Sequence, residues 1–347
     1  MTLPRTPGVA IVAVDGGNSK TEVALVDGRG TVLGVAAGGS GSHQTGGGVD
    51  AAIAVLRGTI AAAEIDAGIA PGAGARAGVA VLCLAGIDLP IDVRVMGRAL
   101  AAAGLGRRIV LRNDAFAGLR AGARAGWGVS LVFGAGINCV GVGPDGRQVR
   151  FAALGAISGD IGGGGQLGLD GFAATIRARD GRGPRTILER TIPAYFGCSS
   201  PAKALEDVYT GRIPEGRLRE LAPLVLTAAS AGDAVARAIV DRSADEAVAM
   251  ASAAIRRLHL TRRPVEVVLA GSVFRTDDRG FIERIRSGIA AVAPQATLVR
   301  LDAPPVLGAA LLGADALGLG RSAQTRIRAG ITFDRLAAAR KVPAGPV

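Results

Sequence analysis

Lysine is almost missing from this chain. Among 40 basic residues it occurs only as Lys20, Lys203 and Lys341, and the rest are arginine. Aromatic residues make up 3% of the sequence, and there are only two His and three Cys. Each shortage excludes something. Cys83, Cys139 and Cys198 are odd in number and widely spaced, which is neither a disulfide framework nor a zinc knuckle. They are expected as buried, reduced thiols. Two His are too few for a His-based metal cluster. Arg is scattered rather than clustered and has few aromatic neighbours, so the net charge of +11 does not read as a nucleic-acid surface. The charge adds at most a general attraction for an anionic nucleotide. No apolar run approaches the roughly 18 residues of a membrane span, and Leu82–Leu89 is broken by Gly86 and Asp88. The first residues lack a basic region followed by an apolar stretch and a cleavage site, so no signal peptide is read. A soluble, cytoplasmic protein without nucleic-acid or membrane partners is expected.

What is abundant is glycine, with 53 residues, and small aliphatic side chains, within a hydrophobic content of 49%. A chain of 347 residues with that content can bury the cores of two domains. The periodicity predicts strands at 9–15, 22–27 and 32–36, a helix at about 50–67, a strand at 78–84, a helix at 91–103 and a strand at 108–112. The pattern then restarts, with strands at 129–133, 139–142 and 148–152. Later come a strand at 265–270, a helix at about 281–292, a strand at 297–301 and a helix at 305–319. A largely helical insert of about 166–260 lengthens the second half. The turns repeat too: Gly16 to Gly28 is twelve positions, and so is Gly134 to Gly146. A duplicated βββαβαβ unit argues for two related α/β domains. We expect the first over 1–115 and the second over 116–320. A closing helix of about 321–340 packs back on the first, and 5–7 and 341–347 are expected as disordered ends.

Asp15-Gly16-Gly17-Asn18-Ser19-Lys20-Thr21 ends one predicted strand and begins the next. Its glycines let backbone N–H groups approach phosphate, Ser19 and Thr21 add hydroxyls, and Asp15 is suited to magnesium, directly or through water. In a chain that otherwise uses Arg, Lys20 is informative, because a compact ammonium suits phosphate better than a wide guanidinium. An ordinary Gly-Gly hairpin would read the same. Gly134-Ala135-Gly136 holds the equivalent place in the second half, and the matched pair favours one nucleotide gripped by both turns. Asp114 follows the strand at 108–112. Either Asn113 or Asp114 can cap the helix that follows, and with Asn113 as the cap Asp114 could take the proton of an acceptor hydroxyl. Ser158-Gly159-Asp160 and the four glycines after Ile161 precede a helix, a setting for a sugar hydroxyl or an anion as well as for a flexible entry loop. Gly271 and Ser272 end a late strand where adenine and ribose can lie. His43, after Gly41-Ser42, either lines a substrate or sits in a plain loop.

Taken in order, Asp15 to Thr21, Asn113-Asp114-Ala115, Gly134-Ala135-Gly136-Ile137-Asn138-Cys139, Gly159-Asp160, Asp180-Gly181-Arg182-Gly183-Pro184 and Leu269-Ala270-Gly271 resemble the N-acetylglucosamine kinase family. That family is grouped with the BadF/BadG/BcrA/BcrD ATPases in the actin/hexokinase/Hsp70 superfamily, and the resemblance covers about 9–320. It implies duplicated actin-like ATPase (ribonuclease H-like) domains with a ligand cleft between them, a homodimer, ATP and Mg²⁺ as cofactors, and transfer to the 6-hydroxyl of N-acetylglucosamine or a related amino sugar. By the resemblance, Asp114 is the catalytic base. The nucleotide lies on Asp15–Thr21, Gly134–Gly136, Gly271 and Ser272, and the sugar on Ser42, His43, Asn113, Ile137, Asn138, Gly155 and Asp160. The chain departs from the family pattern at Ala135 and Ile137, where hydroxyl residues are usual, at Ile161, where Glu is usual, and at Ser42, where Asn is usual. The alternative is a BadF/BadG-type ATPase that activates or regulates another protein. Activators of radical dehydratases hold an iron–sulfur cluster with paired cysteines, and three scattered Cys offer no pair. A nucleotide-gated regulator without catalysis would have no use for Asp114.

Overall fold

A computed structural model describes residues 8–44, 47–70 and 72–340, with the side chain of residue 340 left out; the predicted disordered ends fall outside it. Contacts divide the chain into two units, 128–300 and the remainder. The first unit opens with β1 (Val9–Gly16), β2 (Thr21–Asp27) and β3 (Val32–Gly38). It continues with α1 (Gly48–Asp66), β4 (Val79–Leu84), α2 (Pro90–Ala103), β5 (Ile109–Asn113) and α3 (Ala115–Gly122). Its sheet runs β3-β2-β1-β4-β5. β1–β2 and β2–β3 are antiparallel, and β1–β4 and β4–β5 are parallel.

The second unit holds β6 (Gly128–Phe133), β7 (Ile137–Val142), β8 (Gln148–Arg150), α4 (Gly163–Arg179), α5 (Leu188–Tyr195) and α6 (Pro201–Tyr209). It goes on with α7 (Ala222–Ser230), α8 (Ala234–Arg257), β9 (Val265–Ala270), α9 (Arg279–Val292) and β10 (Ala296–Arg300). Its sheet runs β10-β9-β6-β7-β8 with the same mixture of pairings. The two sheets therefore share one topology, and the helical insert α4–α8 occupies the place that α1 holds in the first unit.

Burial explains why β1 reads as an unbroken apolar run. Ile11 and Ala13 face a core built with α3 and with α10 (Pro305–Ala316) and α11 (Arg321–Gly330). Val12 and Val14 face a second core under α1 and α2. A strand covered on both faces needs no alternation. The scarcity of aromatics has a structural counterpart: small residues let backbones approach. A Cβ at Gly308 of α10 would lie 1.8 Å from the Ala117 carbonyl oxygen of α3.

That contact also corrects the expected boundary. α3 and α10 lie with the first unit, whereas the sequence reading gave 116–320 to the second. The cause is packing that sequence order conceals, since α10 lies on α3 and β1. The closing segment also differs. It is two helices, α11 and α12 (Phe333–Arg340), rather than one. The break follows Gly330, and Thr332 Oγ1 accepts the Arg335 N–H at 3.2 Å as the new helix starts. β8 ends two residues sooner than read, ahead of Ala153, which adopts φ +54°. No single helix among the described residues is long and apolar enough to cross a membrane.

Candidate functional site

In the first unit the C-terminal ends of β1, β4 and β5 lie side by side, because they are parallel neighbours. β1 turns into β2 through Gly17, whose N–H donates to the Lys20 carbonyl at 2.8 Å. Asn18, Ser19 and Lys20 are exposed at the tip. Lys20 Nζ sits 2.5 Å from Glu22 Oε1, with Lys20 half-exposed and Glu22 buried. The ammonium is thus held at the turn by a buried carboxylate. Thr21 departs from expectation. It is fully buried, and its Oγ1 packs beneath Gly41, so its hydroxyl faces the interior and not the turn surface.

Asp15 pairs with Glu22 across the hairpin and with Cys83 on β4. Its carboxyl is held well above the usual carboxylate range, first by burial and then by the charges of Asp114 and Glu22, with Lys20 opposing. A carboxylate crowded by like charges at a partly open strand end is chemically suited to a hard divalent cation. Among the described residues no three acidic or metal-binding side chains converge to form an all-protein cage. The donor set therefore fits a cation that takes one carboxylate and completes its shell with water and phosphate.

Of the two candidates for the helix cap, Asn113 makes the bond. Asn113 is buried. Its Oδ1 accepts the Ala115 N–H at 2.9 Å, and its Nδ2 donates to Asp88 Oδ1 at 2.9 Å. Asp114 makes no side-chain capping bond. Burial pushes its carboxyl up to about 6, while the backbone N–H groups of Ala115 and Asp114 pull it back down. A carboxyl with a pKa near neutrality can accept and later release a proton.

The 39–44 loop lies against this end of the sheet. Ser40 Oγ and the Gly41 N–H both donate to the Gly17 carbonyl at 3.3 Å. Ser42 is buried, and its Oγ accepts the Gln44 N–H at 3.3 Å. His43 Nε2 lies 3.3 Å from Asp92 Oδ1, so the ring is oriented from α2. Sequence reasoning missed Asp88 and Asp92. Both belong to Asp88-Leu89-Pro90-Ile91-Asp92, a helix-start pattern after β4 that was readable as a cap. Asp92 Oδ2 accepts the Leu89 N–H at 2.7 Å.

The second unit carries its own constellation at the ends of β6 and β9. Gly134 N–H donates to the Gly136 carbonyl at 3.0 Å, and Ala135 and Gly136 are exposed. The carbonyls of Gly134 and Ala135 accept the N–H groups of Gly164 and Gly165, each at 2.8 Å. These bonds use two of the first N–H groups of α4. The α4 N-terminus is therefore tied to the turn, which limits it as the free anion site read from the sequence. Gly271 closes the arrangement at φ +100°, where a Cβ would meet the Phe133 carbonyl oxygen at 2.2 Å. Phe133, Phe274 and Phe281 stack beneath, with centroids 5.0 to 6.2 Å apart. Three of only eight Phe thus support this one turn. A cavity of about 710 Å³ opens beside it, lined by Gly134, Ala135 and Ser272 together with Pro223, Leu226 and Arg275. The last three came from the insert and from the Val273–Arg275 turn, and no sequence motif marked them.

The residues read as sugar contacts in this unit divide. Gly155 and Asp160 are brought together: the Asp160 N–H donates to the Gly155 carbonyl at 3.0 Å, and Ser158 Oγ bonds the Asp160 carboxylate. Glu246 on α8 was missed. Its carboxyl is raised by burial and by the charge of Asp160. Asn138 is partly exposed, and its Oδ1 accepts the Cys139 N–H at 2.7 Å. Ile137 does not fit the role read for it. It pairs with Phe133 in the β6–β7 ladder and is buried, so it packs the sheet. Cys83 and Cys139 are buried, and burial raises both thiols far above their usual range. Cys198 is only partly buried and lies 3.6 Å from Asp207.

The chain is 28% identical over 189 residues to the N-acetylmuramic acid/N-acetylglucosamine kinase of Clostridium acetobutylicum, a match that spans 54% of this chain and 62% of that protein. It is 24% identical over 312 residues to the N-acetyl-D-glucosamine kinase of Dictyostelium discoideum, spanning 87% of this chain and 96% of that one. The crystal structure of a candidate N-acetylglucosamine kinase from Chromobacterium violaceum superposes with a TM-score of 0.67 at 26% identity, covering 89% of this chain and 99% of that chain. The two sheets and their helices are those of the two-domain actin-like ATPase and sugar kinase fold. The model of the BadF/BadG/BcrA/BcrD ATPase family matches residues 12–313, and the chain belongs to that family.

Proposed function

We propose that this protein is an ATP-dependent kinase that phosphorylates the 6-hydroxyl of N-acetylglucosamine or a related amino sugar. The observation that carries the proposal is Asp114. Asn113 takes the helix-capping bond, and the carboxyl left over has its pKa raised to about 6 at the end of β5. In the reaction, Asp114 accepts the proton of the acceptor hydroxyl as its oxygen attacks the γ-phosphorus, and ADP departs. Asp114 then returns the proton to solvent. The first unit carries this base, Asp15 and the exposed Asn18–Lys20 tip of its turn. The second unit carries the backbone of Gly134–Gly136, and its own cavity beside Ser272 is sized for a nucleoside. Asp15 is the residue that would hold magnesium, which neutralises phosphate charge when bound.

The names of the relatives support an amino-sugar acceptor. The test is product identification. Incubation with ATP, Mg²⁺ and N-acetylglucosamine, followed by phosphorus and proton NMR, should show a monoester on the 6-oxygen. A phosphoester at the anomeric oxygen, or inorganic phosphate alone, would overturn the assignment.

A further inference from the structure

Asp114 sits at the N-terminus of α3, a helix of only 8 residues, so its position is decided by whatever holds α3. The other end of that helix carries Arg120, a buried guanidinium with 7% of its surface exposed. Arg120 Nε donates to Asp315 Oδ2 at 2.8 Å and Nη2 to Asp315 Oδ1 at 3.0 Å, a bidentate pair to α10. The same Nη2 donates to Gln324 Oε1 of α11 at 3.0 Å, and Gln324 Nε2 returns to Asp315 Oδ1 at 3.1 Å. Arg328 of α11 adds a bond from Nη1 to the Ala121 carbonyl at 2.9 Å, capping the end of α3. Midway along, Gly308 of α10 touches the backbone of Ala117.

We infer that Arg120 is a positioning residue. Through its fork to Asp315 and Gln324, the last helices of the chain fix the register of α3 and with it the aim of Asp114. The inference rests on the proposed role of Asp114 as acceptor base. A short helix clamped at its far end by a planar bidentate pair is a lever, and a guanidinium loses less freedom in such a pair than an ammonium would. Catalysis feels sub-ångström misplacement of a base more strongly than substrate binding does.

The experiment compares the full chain with Arg120→Met, Arg120→Lys, Asp315→Asn and the milder Gln324→Ala. All are assayed with ATP·Mg²⁺ and N-acetylglucosamine, well below each variant's melting temperature. Arg120→Met should lower kcat by about 10- to 100-fold with KM for both substrates within about threefold. Arg120→Lys should recover part of that loss. Asp315→Asn combined with Arg120→Met should cost little more than either alone. Hydrogen exchange supplies a readout independent of turnover: the 113–117 segment should exchange faster in Arg120→Met while the 16–21 turn is unchanged. An unchanged kcat in folded Arg120→Met or Gln324→Ala, or a raised KM with kcat intact, would overturn the inference, as would unaltered exchange at 113–117. If the wild type shows no sugar-dependent turnover, the kinase reading fails, while the exchange result still decides whether Arg120 holds the segment that carries Asp114.

Discussion

Asp114 is tuned by burial, and that tuning has two opposite consequences. Its folded pKa of about 6 lies above the ordinary 3.8, so the folded chain binds this proton more tightly than the unfolded chain does. Stability therefore falls as pH rises from about 4 through about 6 and stays lower above it. Ionised Asp114 costs the fold on the order of 1–3 kcal/mol at neutral pH, allowing for its partial exposure. Asp114→Asn removes that cost. Its melting temperature should exceed the wild type by a few degrees at pH 7.5, and the gap should close near pH 4. A gap that persists at pH 4, or a less stable variant at pH 7.5, would contradict the assigned cause. If Asp114 is the acceptor base, kcat/KM for the sugar should fall as pH drops through about 6, because the protonated carboxyl cannot accept a proton. A second residue-scale test concerns Lys20, whose ammonium is already held at the turn by Glu22. Lys20→Ala should raise the KM for ATP about tenfold and leave the KM for sugar nearly unchanged, as steady-state kinetics with each substrate varied will show.

At the scale of elements, most strands and helices were legible because their signals are local. The strand at Val265–Ala270 and the paired twelve-residue turn spacing depend on alternation, apolar runs and glycine alone. Which of Asn113 and Asp114 bonds the start of α3 was open in the sequence, because Asn113 is held in place by Asp88, 25 positions away. The roles of Thr21 and Ile137 were misread because a hydroxyl or an aliphatic next to a phosphate turn looks the same whether it faces in or out. Strand register decides that, and it turned both inward. Tight backbone contacts at glycines give element-scale predictions. Gly271→Ala forces a Cβ against the Phe133 carbonyl at a left-handed φ, so the second turn must move. The variant should fold, lose about tenfold or more in affinity for a non-hydrolysable ATP analogue by calorimetry, and bind sugar as before. Equal nucleotide affinity would show that the turn does not hold phosphate. Gly308→Ala presses α10 off α3 and should destabilise by about 1–3 kcal/mol in denaturant titration.

For the whole molecule, the least legible feature was which residues belong together. Pattern and duplication gave two domains of like topology and a closing segment of about 321–340 on the first, but they left 116–127 and 301–320 with the second. The return of the closing segment is made by contacts remote in sequence. Arg326 donates to the Arg29 carbonyl at 2.6 and 2.8 Å, Arg335 Nη2 to the Val32 carbonyl at 3.1 Å, and Ile327, Ile331 and Leu336 are buried in the core over β1. A chain ending at Gly320 would uncover that apolar surface and remove Gln324 and Arg328 from α3. It should be strongly destabilised, with early exposure of apolar surface detectable by dye binding. A truncated chain as stable as the intact one would refute the described packing.

The role proposed for Asp114 is to convert nucleotide binding into phosphoryl transfer to a sugar. Its most direct test is ADP release measured with ATP·Mg²⁺ across amino sugars and hexoses, for the wild type and for Asp114→Ala. Turnover should require a sugar, be fastest with an N-acetylated amino sugar, and fall by about 10²–10⁴-fold in the variant while the nucleotide still binds. ADP release that is indifferent to every sugar and equal in both proteins would contradict it.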